Sequence, residues 1–393
     1  MDFQRFVGFV GLVAAGLLAA GPAAAHDLVL SPLMVDASND VEPRISIGSA
    51  GPVVVWKKGA GSAAEIWYRR SAGATRLTND ALEDTDPDVS GDVIVWQRFD
   101  NADYEIVLRD LDAPGNVTLT SNGLPDLAPR ISNGNVCFQR DSGALDLFLY
   151  PDPGVSSPIT GGGDDGSHVL SDDNVAWVKG EDTTAEVWAW YPNLPAPGAY
   201  QITANSVPDT APAISGQRLV WVRGTGGAAE IWRHDPLATT PTRQVTNDGL
   251  EDAAPAIDGE RLVWQGFDND DFEIWTAHTD GGPQQLSTNE WDDLAPQVAG
   301  SHVVWTADEP GDAEIWISWD GGPPEPLTDN AVDDVNPRVA GDYVVWEQCT
   351  DLGGPSESCD IWMAPEPAGA AIGAAAWGAL AALAARRRGR ERG

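Results

Sequence analysis

Residues 82–108 read LEDTDPDVSGDVIVWQRFDNADYEIVL, and residues 250–276 read LEDAAPAIDGERLVWQGFDNDDFEIWT. Both stretches follow one order: Asp, two residues, Pro, a short β run, a turn with Gly, a valine-rich segment ending in Trp, a loop, and an acidic residue followed by Ile. Such self-similarity indicates that the chain is built from copies of one structural unit.

The same pattern can be followed through eight copies. The marker prolines lie 39 to 44 residues apart, with His168 in the fourth position: Pro43, Pro87, Pro129, Pro212, Pro255, Pro296 and Pro337. An aspartate stands three residues before every marker: Asp40, Asp84, Asp126, Asp165, Asp209, Asp252, Asp293 and Asp334. A large aromatic residue stands nine residues after seven of the markers: Trp96, Phe138, Trp177, Trp221, Trp264, Trp305 and Trp346. The first copy reaches Trp56 through a four-residue insertion.

Each copy contains four candidate strands, which we name a to d. Strand a follows the proline, a tight turn leads to the apolar strand b, strand c carries the acidic residue and Ile, and strand d ends in Leu-Thr. Four-stranded units of about 42 residues are typical of a β-propeller. We therefore predict an all-β propeller of eight blades, with seven as the alternative. The last copy ends at Trp362 without a strand d, so residues 26–31 are expected to supply that strand and close the ring.

The repeat resembles the TolB-type propeller repeat over about residues 27–363. The resemblance is carried by Leu-Thr, Asp-x-x-Pro, Gly, the aromatic residue and the acidic-Ile-aromatic segment. It implies a propeller of the same repeat class.

The two ends of the chain are predicted to be targeting signals. Residues 1–25 have an apolar run ending in Ala-Ala-Ala, as in a signal peptide, which leaves residues 26–363 for the propeller. Residues 364–393 contain Pro-Glu-Pro, an uncharged stretch at 368–385 and an arginine-rich end, and they resemble the PEP-CTERM sorting signal. That resemblance implies an exosortase-type sorting enzyme as partner, a transmembrane helix at 368–385, and the envelope, surface or extracellular matrix of a Gram-negative bacterium as location. The alternative is a permanent C-terminal anchor.

The net charge and the cysteines indicate which partners and which cellular compartment to expect. The net charge of −37 repels phosphate backbones, so nucleic acid is not an expected partner. Cys349 and Cys359 lie on either side of a predicted hairpin tip in register with Trp346 and Trp362, which predicts a cross-strand disulfide. Cys137 is predicted to be a small buried residue.

Candidate binding residues lie mainly in the loops. Acidic clusters in the b–c and d–a loops should share one face, and oxygen-only clusters suit Ca²⁺. The possible calcium ligands are Asp84, Asp86, Asp268, Asp270, Asp271, Asp292, Asp293, Asp333 and Asp334. The repeat aspartates Asp40, Asp126, Asp165, Asp209 and Asp252 are expected to be structural, with carboxylates accepting backbone N–H bonds. Trp291, in a predicted loop, and His168 are the ligand-binding candidates.

No catalytic constellation is apparent in the sequence, which has five dispersed histidines and no Gly-x-Ser-x-Gly motif. The expected function is a non-catalytic scaffold that binds a protein or a glycan at the cell surface. The alternatives are an extracellular polysaccharide lyase or hydrolase, and a structural envelope protein whose stability depends on cations.

Overall fold

The computed structural model describes residues 30–365, apart from residues 35–38, 71–72, 152–153, 279–280, 320, 353 and 355–356. These residues form eight four-stranded antiparallel sheets, which are the blades of the propeller. The predicted eight-bladed fold is confirmed, and the seven-bladed alternative is wrong. The expected signal peptide lies outside the described residues, as does the sorting tail beyond Pro365 with its apolar stretch at 368–385, whereas Ala364 and Pro365 belong to the last strand of the propeller. Among the residues described, no helix has the length and apolar character needed to cross a membrane.

The first four blades follow one another in the chain, each from its inner to its outer strand. Strand β1 (Ser31–Pro32) precedes them. Blade 1 contains β2 (Asp40–Gly48), β3 (Gly51–Lys58), β4 (Glu65–Arg69) and β5 (Thr75–Arg76). Blade 2 contains β6 (Asp84–Ser90), β7 (Val93–Phe99), β8 (Tyr104–Asp110) and β9 (Val117–Thr118). Blade 3 contains β10 (Asp126–Ser132), β11 (Asn135–Asp141), β12 (Leu145–Tyr150) and β13 (Ser157–Pro158). Blade 4 contains β14 (Asp165–Ser171), β15 (Asn174–Lys179), β16 (Glu186–Tyr191) and β17 (Gly198–Gln201).

The last four blades continue the same order. Blade 5 contains β18 (Asp209–Ser215), β19 (Arg218–Arg223), β20 (Glu230–His234) and β21 (Thr242–Gln244). Blade 6 contains β22 (Asp252–Asp258), β23 (Arg261–Phe267), β24 (Phe272–His278) and β25 (Gln284–Gln285). Blade 7 contains β26 (Asp293–Ala299), β27 (His302–Asp308), β28 (Ala313–Ser318) and β29 (Glu325–Pro326). Blade 8 contains β30 (Asp333–Ala340), β31 (Tyr343–Thr350), β32 (Ser358–Pro365) and β1. Short 3₁₀ turns occupy the b–c loops of blades 1, 4 and 5, at Gly61–Ala63, Asp182–Thr184 and Gly226–Ala228.

The ring closes through an N-terminal strand, as predicted, but this strand is Ser31–Pro32 rather than residues 26–31, of which residues 26–29 lie outside the described residues. Ser31 pairs with Met363 and Pro32 with Trp362, so β1 becomes the outer strand of blade 8. An apolar cluster that includes Val54, Trp56, Val345 and Ile361 joins the first and last blades. The outer edge of β32 is thereby covered.

The core lies between neighbouring blades rather than inside one blade. The cluster at the interface of blades 1 and 2 joins Val53 and Val55 of β3 to Val89, Ile94 and Trp96 of blade 2. The strand-b tryptophans are essentially fully buried, as the apolar character of strand b predicts. Burial of these rings against the next blade is the main apolar contribution to the fold.

The inner strand begins earlier than the sequence suggested. It starts at the repeat aspartate, so the marker proline lies inside strand a rather than before it. The pairing register with strand b shifts between the second residue of strand a and the residue after the marker, as in β6, where Thr85 pairs with Gln97 and Asp88 with Val95. This bulge leaves the proline, which has no N–H group, outside the ladder. The residue before the proline has positive φ in seven blades: Glu42, Asp86, Ala128, Ala211, Ala254, Ala295 and Asn336.

The recurrent Leu-Thr pair has a clear structural role. Its hydroxyl accepts a hydrogen bond from the backbone N–H of strand c, as from Ile66 to Thr78 at 2.9 Å and from Ile315 to Thr328 at 2.8 Å. Ser287 takes the same role in blade 6, where it accepts from Ile274 at 2.8 Å. These bonds extend the pairing between strand c and a strand d of only two to four residues.

Cys349 and Cys359 lie opposite each other in β31 and β32 and form a disulfide bond. The bond links the two strands next to the b–c hairpin tip of blade 8. Cys137 is fully buried in β11 as a free thiol.

Candidate functional site

The residue that follows the marker lies at the centre of the ring. In blades 2 to 7 these residues line one cavity of ≈ 270 Å³: Asp88, Arg130, Val169, Ala213, Ala256 and Gln297. In blades 4 to 7 the next residue of strand a joins the lining: Leu170, Ile214, Ile257 and Val298. Because six inner strands contribute, this cavity is part of the central channel of the propeller, which is a frequent place for ligands in such rings.

Blades 8 and 1 place Arg338 and Arg44 at the same repeat position. Burial, with repulsion from Arg44 nearby, lowers the pKa of Arg338 to about 10, although Glu347 favours the charged form. Arg338 therefore remains a cation at neutral pH. Arg130 lines the cavity, and Arg44 and Arg338 stand at the equivalent positions of the two blades that complete the ring, in a chain whose net charge is −37.

Two of these arginines keep free hydrogen-bond donors. Arg44 donates to the carbonyl oxygen of Pro43 at 3.2 Å, and Arg338 donates to that of Pro337 at 3.0 Å. Among the described residues, neither guanidinium lies in an ion pair with a carboxylate. Arg130 differs, because it pairs with Asp86 at 3.0 Å. Since a guanidinium carries five N–H donors in a planar fork, Arg44 and Arg338 can still accept an anionic partner.

The other side of the channel is apolar. Val169, Ala213 and Ala256 occupy the same repeat position in three successive blades. A ligand in the channel would therefore meet guanidinium groups and the carboxylate of Asp88 on one side, and aliphatic side chains on the other. The sequence analysis did not predict this arrangement. Its only signal was that the residue after the marker is charged in some blades and uncharged in others.

The repeat aspartates are buried, and their partners differ from the predicted ones. Asp84 accepts hydrogen bonds from the indole N–H of Trp96 at 2.7 Å and from Arg98 at 2.8 Å. The same aspartate–tryptophan bond joins Asp165 to Trp177, Asp209 to Trp221, Asp252 to Trp264, and Asp334 to Trp346. The backbone N–H acceptor role expected for these carboxylates is therefore replaced by side-chain contacts, because the aspartate starts strand a opposite the end of strand b.

Three repeat aspartates, those of blades 6, 7 and 8, lack the cation that accompanies the others. Strand b supplies a basic residue two positions after the aromatic residue in blades 1 to 5: Lys58, Arg98, Arg140, Lys179 and Arg223. Gly266, Ala307 and Gln348 stand at that position in blades 6, 7 and 8. Burial without a compensating cation raises the pKa of Asp252 to about 7, and burial likewise raises the pKa of Asp293.

Replacing Asp252 by asparagine should change how stability depends on pH. The folded pKa of Asp252 is about 7, above the unfolded value of about 3.9. Between these values the folded chain binds a proton that the unfolded chain does not. The free energy of unfolding should thus fall as pH rises, by up to ~1.4 kcal/mol per pH unit for this group. Urea titrations measure the free energy of unfolding of Asp252→Asn and of wild type. The value for the variant minus the value for wild type should be larger at about pH 7.5 than at about pH 5.

The matched control is Asp209→Asn, at the equivalent position of blade 5. Asp209 binds Arg223 through two hydrogen bonds of 2.7 and 3.3 Å, so this variant leaves a guanidinium without its carboxylate. It should be destabilised at both pH values. An Asp252→Asn variant with the same stability difference at both pH values would contradict the assignment.

The remaining predicted calcium ligands lie in several blades. Asp292 accepts from the backbone N–H of Phe272 at 2.9 Å, and Asp333 from that of Ala313 at 3.0 Å. Asp268 and Asp271 lie together with Glu273 in the b–c loop of blade 6, and Asp270 is exposed beside them. The structure thus brings only part of the predicted set together.

The two ligand-binding candidates do not converge. His168 lies in β14 opposite Trp177, and burial lowers the pKa of its imidazole to about 3, so the ring is neutral. Trp291 is half-buried and packs against the cluster between blades 6 and 7. His234, His278 and His302 lie on strands of three further blades.

Comparison with solved structures places the fold among propellers of peptidases. The β-propeller domain of the Trilobed protease from Pyrococcus furiosus is 12% identical, with a TM-score of 0.53 over 75% of this chain and 99% of that domain. A prolyl endopeptidase is 10% identical, with a TM-score of 0.56 over 79% of this chain and 55% of its own length. Dipeptidyl peptidase 4 of Porphyromonas gingivalis is 12% identical, with a TM-score of 0.54 over 77% of this chain and 57% of its own.

The chain thus spans little more than half of these two peptidases. At such low identity the likeness shows the propeller fold alone. No protein-family model matches the sequence, and no curated protein matches it either.

These neighbours correct the function expected from the sequence. The prediction of a non-catalytic scaffold that binds a protein or a glycan is wrong, because the propellers that this fold resembles belong to proteins described as peptidases. The regular repeat suggested a scaffold, but the repeated residues form the blades, whereas the residues that line the channel differ between blades.

Proposed function

We propose that this chain is a peptidase-related propeller whose channel receives the carboxylate end of a peptide and holds it for hydrolysis. The observation that carries the proposal is the two-sided channel, in which blades 1 and 8 carry Arg44 and Arg338 at the repeat position that Val169, Ala213 and Ala256 occupy in blades 4 to 6. The proposal assigns the propeller the substrate-receiving step and assigns no catalytic residue.

The charged side of the channel suits a carboxylate. An arginine fork binds a carboxylate through two parallel hydrogen bonds, and such charge-assisted bonds are about twice as strong as neutral ones. Arg44 and Arg338 lie on adjacent blades at the same repeat position and each has donors to spare. Partial desolvation of Arg338, visible in its lowered pKa, would strengthen its attraction for an anion.

The apolar side suits the last side chain of a peptide. Leu170, Ile214 and Ile257 extend the aliphatic wall beyond the three small residues. A cavity of ≈ 270 Å³ is slightly smaller than a small-molecule site, so it accommodates a chain end rather than a folded partner.

The cellular setting completes the proposal. The terminal segments at 1–25 and 364–393 are proposed to export the chain and sort it to the cell envelope or surface, where an exosortase-type enzyme would act on the tail. The TolB-type repeat class is part of the same proposal. Similarity of the fold to peptidase propellers supports a peptide, rather than a polysaccharide, as the substrate.

Comparison of one peptide in two chemical forms tests this function. A fluorescent peptide with a free C-terminal carboxylate and an apolar last residue should bind the full-length chain at least ~10-fold more tightly than the same peptide with a C-terminal amide. Fluorescence anisotropy gives both dissociation constants. Equal affinities for the acid and the amide would refute the carboxylate site.

A further inference from the structure

Two b–c loops share a sequence that the other blades lack. Residues 99–105 read FDNADYE in blade 2, and residues 267–273 read FDNDDFE in blade 6. The loops of blades 1, 4 and 5 have the same length but begin with glycine and contain a 3₁₀ turn: GAGSAAE at 59–65, GEDTTAE at 180–186 and GTGGAAE at 224–230. The two acidic loops therefore have the same length as the loops of blades 1, 4 and 5 but carry different side chains.

Each acidic loop brings three carboxylates together. In blade 2, one oxygen from each of Asp100, Asp103 and Glu105 lies within 4.8 Å of the others. In blade 6 the equivalent residues Asp268, Asp271 and Glu273 form the same arrangement. A pair of aromatic rings stands at the base of each loop, Phe99 with Tyr104 and Phe267 with Phe272.

Carboxylate oxygens in both loops are buried without a hydrogen-bond partner. In blade 2, Asp103 is 7% exposed and its Oδ1 accepts no hydrogen bond. In blade 6, Asp271 is 8% exposed and its Oδ2 accepts none. Burying such oxygens unpaired is costly, and a bound cation removes that cost.

Each loop also concentrates negative charge. Because the oxygens of its three carboxylates lie within 4.8 Å of one another, the carboxylates repel one another in the absence of a positive charge.

We propose that the b–c loops of blades 2 and 6 each bind one Ca²⁺. The ligands would be Asp100, Asp103 and Glu105 in one loop and Asp268, Asp271 and Glu273 in the other. Ca²⁺ takes six to eight oxygen ligands in flexible geometry, so water and loop carbonyls complete each site. The inference is independent of the peptide proposal, because these loops and the channel share no residue.

Calorimetric titration of the chelator-treated full-length chain with CaCl₂ tests the two sites. Wild type should bind two ions, Asp103→Asn and Asp271→Asn should each bind one, and the double variant should bind none at these sites. The control is Asp182→Asn, which removes the same charge from the b–c loop of blade 4 and should retain both ions.

Thermal melts provide a second readout. Calcium should raise the melting temperature of the wild type relative to chelator, because the ion binds only the folded chain. The double variant should melt at one temperature in both conditions. Absence of saturable binding to wild type would overturn the proposal, as would a double variant that still binds two ions. Equal losses in Asp182→Asn and in either loop variant would show a diffuse attraction of cations to the acidic surface instead.

Discussion

Replacing Trp221 by alanine should lower the free energy of unfolding by about 3–5 kcal/mol. Trp221 is fully buried in β19, where it packs on Ala176, Val187 and Tyr191 of blade 4. Its indole N–H also donates to Asp209 at 2.7 Å. The substitution removes the largest ring at that blade interface and leaves a buried carboxylate without one of its donors.

Two further variants separate packing from hydrogen bonding. Trp221→Phe keeps most of the apolar ring and removes only the N–H donor, and Phe138 already occupies the equivalent place in blade 3. It should cost about 1–3 kcal/mol. Leu237→Ala, at an exposed side chain, should change stability by no more than about 0.5 kcal/mol. Urea titrations measure all three, and a loss below about 1 kcal/mol in Trp221→Ala would contradict packing between blades as the source of stability.

Replacing both Arg44 and Arg338 by glutamine should weaken binding of a free-acid peptide by about 100-fold. Each guanidinium is expected to contribute roughly tenfold, since a hydrogen bond to a charged group contributes about 1.5–3 kcal/mol. Glutamine keeps a donor and much of the side-chain length, so the loss reports the charge and the planar fork. The affinity for the amidated peptide should change little.

The control for this pair is Arg218→Gln. Arg218 makes ion pairs with Asp235 and Glu260, each at 3.2 Å, and lies on β19, a strand b, rather than on an inner strand. It removes the same charge and should leave peptide affinity within about twofold of wild type. Similar losses in Arg218→Gln and in the double variant would mean that overall charge, and not the channel, determines binding.

Repeat spacing was sufficient to predict the blades, because each blade buries the same residue types at the same positions. The Asp-x-x-Pro marker, the aromatic residue nine positions later and the missing last strand d predicted eight units and their closure. Pairing of Cys349 with Cys359 could be inferred for a similar reason, since a hairpin fixes which residues face each other.

What the sequence could not reveal depends on contacts between strands. The bulge before each proline moved the start of strand a back to the aspartate, and this placed the carboxylate against an indole of strand b. No local sequence pattern indicates this contact between the aspartate and the tryptophan. Gly266 and Ala307 can be read from the sequence. That they leave Asp252 and Asp293 without a cation becomes apparent only when the ion pairs of the other blades are known.

The candidate site was hidden for a related reason. Arg44 and Arg338 are about 300 residues apart in the chain and meet only because the ring closes. Regular repetition favoured a structural interpretation of every blade, whereas the residue after the marker, which lines the channel, differs in charge and size from blade to blade.

The central claim is that Arg44 and Arg338 hold the carboxylate of a peptide in the channel. A crystal structure of the full-length chain with a free-acid tripeptide ending in an apolar residue tests it most directly. The expected result is a carboxylate in contact with both guanidinium groups, at about 2.7–2.9 Å, with the last side chain against Val169, Ala213 and Ala256. A channel without peptide at a saturating concentration, or a peptide bound on the outer surface of the blades, would contradict the claim.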